Sequence, residues 1–593
     1  MSYSVFSPTP EQEVVIKCNG AAFINACPGA GKTRIMVERA ASVFENMPHG
    51  RGVAFLSFTK AAISELEKRL RQRAILPIPV YPSFIGTFDS FVWQFLIAPF
   101  GANGTETQPC LIPDIEKLSV IPFKGAQAVP LSFFDRVSGV MDQEAATRTG
   151  FNPANRKGNQ IKQYEMAASR LRTNLKGRGQ LSFDDARQLA LERLNNPDIS
   201  GRLARALSGR FIEVIVDEAQ DCNRDDLRII GWLQDSGLLV KVICDPYQSI
   251  YQFRGGVTDE LFAFRKRFAK ENRLQLSGNF RSTPNICKAI ACLRPCDGVI
   301  QPDQALGDYK ELPHAVHILS YKGKGVSSLI GSCFSELLQE HGEEISKCPV
   351  VAATWASAAK AVGKHLSNKS TAMTLRLVEA VMNFHFAPRY NQMKEAMEAV
   401  HCIILEINGV LSDISYHQYI QEQHIDPLSW RSGVINLLRD LKFDTDRFAD
   451  TRAWHEHVKK QLDQHKHVSP EAAKSIGAKL KWNDAINAIL SAAPSDDMAA
   501  QTIHSVKGLE FPAVCVVTTS QTLGSILDFL ETGNPDDKAE EARELYVAAS
   551  RAQKLLAFAV PANIADRFAA LICGQGADVT VSSIEKDDGA RKI

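Results

Sequence analysis

Two stretches of this chain carry residue types that can handle a nucleoside triphosphate. The first is "ACPGAGKTR", Ala26 to Arg34. Gly29, Ala30 and Gly31 are small enough for backbone N–H groups to face phosphate oxygens. Lys32 can reach the β- and γ-phosphates, and Thr33 can ligate Mg²⁺. Ala26 stands where the general pattern has Gly, a place a small residue can hold at negative φ. The second stretch is "FIEVIVDEAQD", Phe211 to Asp221. There Asp217 would hold Mg²⁺, directly or through water, and Glu218 would polarise the attacking water as general base. An exposed acidic turn is the competing reading, and its pairing with a "GKT" loop argues against it. A catalytic carboxylate beside the metal ligand favours hydrolysis over phosphate transfer to a small substrate. Two arginines, Arg281 in "LSGNFRSTPNI" and Arg551 in "ELYVAASRAQK", are either surface residues or cations for the charge developing on the γ-phosphate. Supplied from a second domain, they would make hydrolysis depend on closure.

These groups need particular elements behind them. "AAFIN" reads as a short apolar strand and "RIMVERAASVF" has helical periodicity, so the loop lies between strand and helix. The helix N-terminus then adds its partial positive charge beneath the phosphates. Phe211–Val216 reads as a buried strand, with Asp217 and Glu218 at its C-terminal end, where parallel sheets bind ligands.

Length and composition bound the rest. The 593 residues are too many for one core and imply several domains. A formal net charge of +1 leaves no bulk electrostatic signal for nucleic acid, so basic groups for such a partner must be gathered locally. "MSYSVFSPTPEQ" has neither the basic start nor the apolar run of a signal peptide, and no apolar stretch is long enough to span a bilayer. Thirteen scattered cysteines fit a reducing compartment, and a cytoplasmic location is expected. Cys287, Cys292 and Cys296 lack a fourth ligand and read as small apolar residues on a helix face. The histidines of "WHEHVKKQLDQHKH" (His455, His457, His465, His467) match no ligand spacing and read as a solvated helix face.

The chain resembles the UvrD/Rep-like helicases of superfamily 1. The blocks that carry the resemblance occur in family order: "PTPEQ", "ACPGAGKTR", "LSFTKAAISEL", "GTFDSF", "VDEAQD", "DPYQSIYQFRGG", "LSGNFRSTPNI", "TIHSVKGLEF" and "EEARELYVAASRAQK". They cover the first 290 residues and the last 100, and leave the intervening regions unmatched. In this family Ala26 is usual. The resemblance implies that Gln12 reads the adenine edge and that Arg34 helps to hold the nucleotide. Gln248 would sense the γ-phosphate and couple it to DNA, with Arg254 at the same junction. Arg281 and Arg551 would be arginine fingers, and Glu510 would contact the ribose.

On the DNA side, Phe58, Tyr251 and Phe253 lie in or beside these blocks. Stacking of bases on such rings tolerates any sequence and contributes about 1–3 kcal/mol per base. Core packing is the alternative for each, most evenly balanced at Phe58. Thr59, Thr87, Thr502 and His504 would hydrogen-bond phosphates, positioning the strand without reading it. Phe253 takes a place where relatives often have Trp. Asp89 replaces a common His, and an acid beside a phosphate track is unfavourable, so no DNA contact is assigned to it.

The family layout implies an α/β chain with two RecA-like P-loop motor domains, each with a parallel sheet and a mostly helical insertion. The first motor domain would comprise residues 1–95 and 185–280, with its insertion at 96–184. The second would comprise 281–369 and 496–593, with its insertion at 370–495. "NPANRKGNQIKQYEMAASRLRTNLKGRGQ" is the best local basic stretch, or else a solvated helical surface. Trp430, Trp454 and Trp482 are available for a core in the second insertion, and "SSIEKDDGARKI" reads as a polar tail. No repeats and no nuclease block are visible.

Together these readings point to an ATP-dependent, Mg²⁺-using helicase moving 3′ to 5′ on single-stranded DNA and opening tailed duplexes. The short second insertion, and the lack of the C-terminal extension of housekeeping repair helicases, leave an alternative. In it the chain is a DNA-end-sensing ATPase subunit of a nuclease-associated antiviral complex of Gabija type, with weak unwinding and a nuclease partner. A non-enzymatic DNA-binding scaffold is disfavoured by the intact Lys32, Asp217, Glu218, Gln248, Arg281 and Arg551. No membrane partner is expected.

Overall fold

Apolar runs bounded by helical segments build parallel strands covered on both faces. In this protein they build two such sheets. The computed structural model describes all residues except 1–6, 46–49, 76–79, 102–107, 113–114, 124–125, 137, 149–150, 156–157, 251–257, 296–301, 324, 364–372, 387–389, 412–415, 417–418, 421–422, 424, 465–478, 483–484, 492–497 and 585–593. By its internal packing the chain divides into two units. One contains Met1–Phe100, Asp184–Lys364 and Asp496–Ile593; the other contains Gly101–Phe183 and His365–Ser495.

The first unit holds both six-stranded sheets, and every strand pairing within them is parallel. The first sheet runs Arg273–Leu276, Ala22–Ala26, Leu239–Cys244, Phe211–Val216, Gly52–Ser57, Phe84–Thr87. The second runs Ala500–Thr502, Val350–Ala352, Phe511–Val517, Ala552–Pro561, Val316–Tyr321, Val579–Ile584. The last strand includes Ser582 and Ser583, paired in register with Leu319 and Ser320. The "SSI" expected to begin a polar tail is therefore sheet edge, because its backbone completes the ladder of an otherwise open strand.

Two charges sit inside the first sheet. Glu213 is fully buried, and Arg39 from the helix Lys32–Glu45 donates to it at 2.7 Å. Lys241 on the adjacent strand lies 3.3 Å from the same carboxylate and donates to the Gly20 carbonyl at 2.8 Å. The helix that starts at the phosphate loop is thereby tied to the middle of the sheet.

In the second unit, residues 101–183 pack Tyr164, Phe151, Leu131 and Phe134 into a small core beside the helix Gly158–Gly177. Part of the basic stretch belongs to that core. Arg172 is buried, pairs with Glu116 at 2.9 Å and donates to the Leu131 and Phe134 carbonyls, whereas Lys162, Arg170, Lys176 and Arg178 are exposed. Residues 365–495 form a helical cluster around Trp454, which is fully buried and donates to the Leu441 carbonyl; Trp430 and Trp482 pack against its margin. The solvated reading of the histidines fails at His455. It is buried and packs edge-on against Trp482, because its helix turns that face inward. His457 pairs with Asp440 at 2.9 Å; His465 and His467 lie outside the described residues.

Cys287 and Cys292 are buried at the helix Pro284–Ala291, and Cys296 lies outside the described residues. Among the described residues no group of three or more His, Cys, Asp or Glu is arranged to hold a metal ion. No described helix is long and apolar enough to cross a membrane.

Candidate functional site

The strand Ala22–Ala26 lies between Leu239–Cys244 and Arg273–Leu276, and the phosphate loop leaves its C-terminal end. Gly29 and Gly31 have φ of +71° and +76°. At Gly29 the glycine is required twice over. A Cβ there would meet Arg281 Cβ and Asn279 Oδ1, each at 2.6 Å, and its carbonyl accepts from the Phe280 N–H at 2.9 Å. The segment carrying Arg281 therefore rests directly on the loop. From the other side Gln12 Nε2 donates to the Ala30 carbonyl at 3.1 Å, while Gln12 Oε1 accepts from the Thr9 N–H in a helix-capping box. Gln12 is buried and braces the loop. Arg34 is exposed on the first turn of the following helix, and Thr33 is half-buried there.

Lys32 and the acid pair meet. Lys32 Nζ lies 2.8 Å from Glu218 Oε1. Burial opposes the Lys32 ammonium, but Glu218 and Asp217 outweigh it and raise its pKa. Burial likewise opposes the Glu218 carboxylate, and Lys32 and Lys507 outweigh it and hold the carboxylate ionised. Asp217 is pushed the other way, by burial and by Glu218 beside it. Glu218 has φ 57° and ψ 37°, a left-handed backbone that costs a non-glycine residue ~1–3 kcal/mol. Asp217 Oδ1 is buried and makes no hydrogen bond. An unpartnered carboxylate oxygen among phosphate-binding groups fits a divalent cation, and one carboxylate plus the Thr33 hydroxyl suits Mg²⁺, which keeps waters and phosphate oxygens as its other ligands.

The remaining groups come from both sheets: Gln248 follows the first-sheet strand Leu239–Cys244, Arg281 follows the first-sheet edge strand Arg273–Leu276, and Arg551 directly precedes the second-sheet strand Ala552–Pro561. Arg551, 2% exposed, donates to Gln248 Oε1 at 2.9 Å and to the Val547 carbonyl at 3.0 Å. Burial, with repulsion from Arg281, pulls its pKa down to about 9. Gln248 Nε2 donates to Asp245 Oδ2 at 2.8 Å, so both ends of its amide are held. Arg281 pairs with Glu510 at 2.7 Å and donates to the Ser550 carbonyl at 3.0 Å. Two further residues belong to the cluster, and sequence reasoning did not single them out. Lys507, in "SVKGLEF", pairs with Asp221, in "DEAQD", at 2.5 Å, and both are buried. They sat inside recognised blocks, but nothing in their spacing said that these blocks meet.

The DNA-side positions share one local device. Thr59 follows a strand, Thr87 and Thr502 each end one, and all three cap a helix with their hydroxyl, accepting from Ala62, Ser90 and Ser505 N–H groups. Ser57 pairs in register with Thr87 in the first sheet, and Ala352 with Thr502 in the second. Thr354, after Val350–Ala352, is a fourth such cap, and Trp355 beside it is 54% exposed. Thr354 thus occupies the place in the second sheet that Thr59 occupies in the first, with Trp355 directly after it where Phe58 stands directly before Thr59. The signal in the sequence was the Thr-aromatic juxtaposition after a strand. Phe58 is half-buried, with one ring face stacked on Phe88 at 5.3 Å. His504 Nε2 lies 3.3 Å from the Ile250 carbonyl. Asp89 accepts from Arg187 at 2.6 Å, and Arg187 also pairs with buried Asp226, so this acid is a structural partner. Tyr251, Phe253 and Arg254 lie outside the described residues.

Two family models and several known proteins match the chain. Residues 8–269 match the UvrD/REP helicase N-terminal domain, and residues 474–562 match the UvrD-like helicase C-terminal domain. YjcD of Bacillus subtilis is 24% identical over 94% of this chain and 79% of its own length. The ATP-dependent DNA helicase PcrA of Staphylococcus epidermidis is 21% identical over 92% of this chain and 82% of its own. The Gabija protein GajB of Bacillus cereus is 27% identical over 46% of this chain and 47% of its own.

Proposed function

The chain belongs to the UvrD/Rep-like helicases, and from that membership we propose that this ATP-dependent DNA helicase moves 3′ to 5′ along single-stranded DNA. The observation that carries the mechanism is the Gln248 amide, held by Asp245 of the first sheet at one end and by Arg551 at the other. Any change at the γ-phosphate that moves Arg551 must be felt by Gln248, which lies two residues before Ile250, the carbonyl partner of His504.

The turnover chemistry follows from charge. Arriving phosphates compete with Glu218 for Lys32. Glu218, released, takes a proton from the attacking water as general base. Arg281, released from Glu510, and Arg551 turn their N–H groups to the charge developing on the γ-phosphate. Mg²⁺, when bound, would be held by Thr33 and Asp217 and would neutralise charge between the phosphates. Gln12 would read the adenine edge, Arg34 would help to hold the nucleotide, and Glu510 would contact the ribose. Closure on ATP and reopening on hydrolysis would alternate the grip of the two sheets on the strand. Phe58, Trp355 and the "YQF" aromatics would stack bases, and Thr59, Thr87, Thr354, Thr502 and His504 would hold phosphates. The domain boundaries we assign are those of two motor domains interrupted at 96–184 and 370–495.

The test is ATP hydrolysis with and without single-stranded DNA, together with unwinding of duplexes bearing a 3′ tail, a 5′ tail or blunt ends. Strong stimulation and selective opening of the 3′-tailed duplex are expected. Equal hydrolysis with and without DNA would sink the reading, and selective opening of 5′ tails would reverse the polarity. The GajB match supports a second reading, in which the ATPase senses DNA ends for a nuclease partner and unwinds weakly. A nuclease that co-purifies with the tagged chain would favour it.

A further inference from the structure

Arg294, just after the helix Pro284–Ala291, is buried and belongs to none of the groups assigned above. It donates to Asp303 Oδ2 at 2.5 Å and to the Tyr546 hydroxyl at 3.2 Å. Its guanidinium lies over the rings of Tyr247 and Tyr546, 5.6 and 5.4 Å from their centroids. The Tyr546 hydroxyl is in turn 3.2 Å from Asp245 Oδ2, the oxygen that accepts from Gln248 at 2.8 Å. A chain of hydrogen bonds thus runs from Arg294 through Tyr546, Asp245 and Gln248 to Arg551.

The direction of every bond in this chain is dictated by donor inventory. A guanidinium only donates. Tyr546 must therefore accept from Arg294 and spend its single proton on Asp245. Asp245, as a carboxylate, only accepts, so Gln248 must turn its NH₂ toward it. That leaves the Gln248 carbonyl for Arg551, which again only donates. Arg294 also stabilises the buried Asp245 charge, which burial opposes. Without Arg294 the Tyr546 proton can rotate away, and a protonated Asp245 can donate to the Gln248 oxygen. The amide then flips and presents N–H groups to Arg551, a donor facing a donor.

We propose that Arg294 is a positioning residue for ATP turnover, setting the orientation of the Gln248 amide through Tyr546 and Asp245. The proposal rests on the part proposed above for Gln248 and Arg551 in ATP turnover, and not on the polarity of movement. It is tested by steady-state ATPase kinetics at saturating single-stranded DNA. Arg294→Met should lower kcat about tenfold or more while KM for ATP changes less than about threefold, because the groups on the nucleotide are untouched. Arg294→Lys, still a pure donor, should recover most of the loss. Tyr546→Phe should cost as much as Arg294→Met, and the double variant no more than either, as for links of one chain. If Arg294→Met fails to fold because Asp303 is left buried and unpaired, Arg294→Met with Asp303→Leu removes that charge and should still show the kcat loss. Near-normal kcat in a folded Arg294→Met variant, equal loss in Arg294→Lys, or additive losses with Tyr546→Phe would each overturn the proposal.

Discussion

Lys32 Nζ lies 2.8 Å from Glu218 Oε1, so the phosphate loop is closed onto the carboxylate at the end of a strand two places away in the sheet. On the proposed mechanism, a lysine and a general base paired in this way would both be out of use, and phosphate oxygens that took over Lys32 would free Glu218 at the same moment, linking ATP binding to activation of water.

Glu218→Gln should lower kcat by ~10²–10⁴, the usual contribution of a general base. ATP binding should persist or tighten, since Lys32 loses its carboxylate partner. Pre-steady-state phosphate release and equilibrium binding of a fluorescent ATP analogue measure the two separately. Undiminished turnover would remove Glu218 from the role of base.

Gly29→Ala should cripple the site more than its size suggests. The added Cβ meets Arg281 Cβ and Asn279 Oδ1 at 2.6 Å and sits at positive φ. Displacing Arg281 by about 1 Å can cost about a hundredfold in kcat/KM. Gly50→Ala carries the backbone strain alone, with φ +94° and open space around the new methyl, and should leave kinetics near wild type.

Glu213→Ala should destabilise the first sheet by about 3–5 kcal/mol, because Arg39 and Lys241 would be left as buried cations. Urea denaturation followed by tryptophan fluorescence reads this. A loss below ~1 kcal/mol would mean that water reaches the triad, as at a surface pair.

Glu544 gives stability a definite pH dependence. Burial, with repulsion from Glu540 and Glu541, pushes its carboxyl up to about 7 from its ordinary value of 4.5. The folded chain therefore holds a proton that the unfolded chain has lost across this window, so this group makes stability fall as pH rises from 4.5 to 7. In Glu544→Gln the fall is removed. The Tm difference between variant and wild type should grow in the variant's favour from the acid end of the window to the neutral end. A constant difference would show that Glu544 titrates normally.

Trp355→Ala should weaken binding of short single-stranded DNA by ~1–3 kcal/mol, the contribution of one stacked base. The salt dependence of affinity should not change, since no phosphate is neutralised by an indole. Fluorescence anisotropy across a salt series separates the two effects.

Much of this protein was legible in short stretches. The apolar runs at 21–25 and 211–216 fall on the strands Ala22–Ala26 and Phe211–Val216, since buried parallel strands need no partner outside the local pattern to declare themselves. The family blocks announced the helicase class. Residues 101–183 and 365–495 carried no such signal, because helices packed in a small insertion follow general amphipathic rules. That is why Arg172 was read with its basic neighbours and His455 with solvent, although each packs inward.

The sequence by itself determined which residues can bind phosphate, polarise water and meet negative charge, because those capacities belong to side-chain chemistry and local spacing. Only the tertiary structure decided who faces whom. Lys507 meets Asp221, Arg551 meets Gln248, and Arg294 meets Tyr546 across separations of roughly 250 to 300 positions. No local rule encodes such pairings. They follow from how two sheets are wound and packed, and that is a property of the whole buried core.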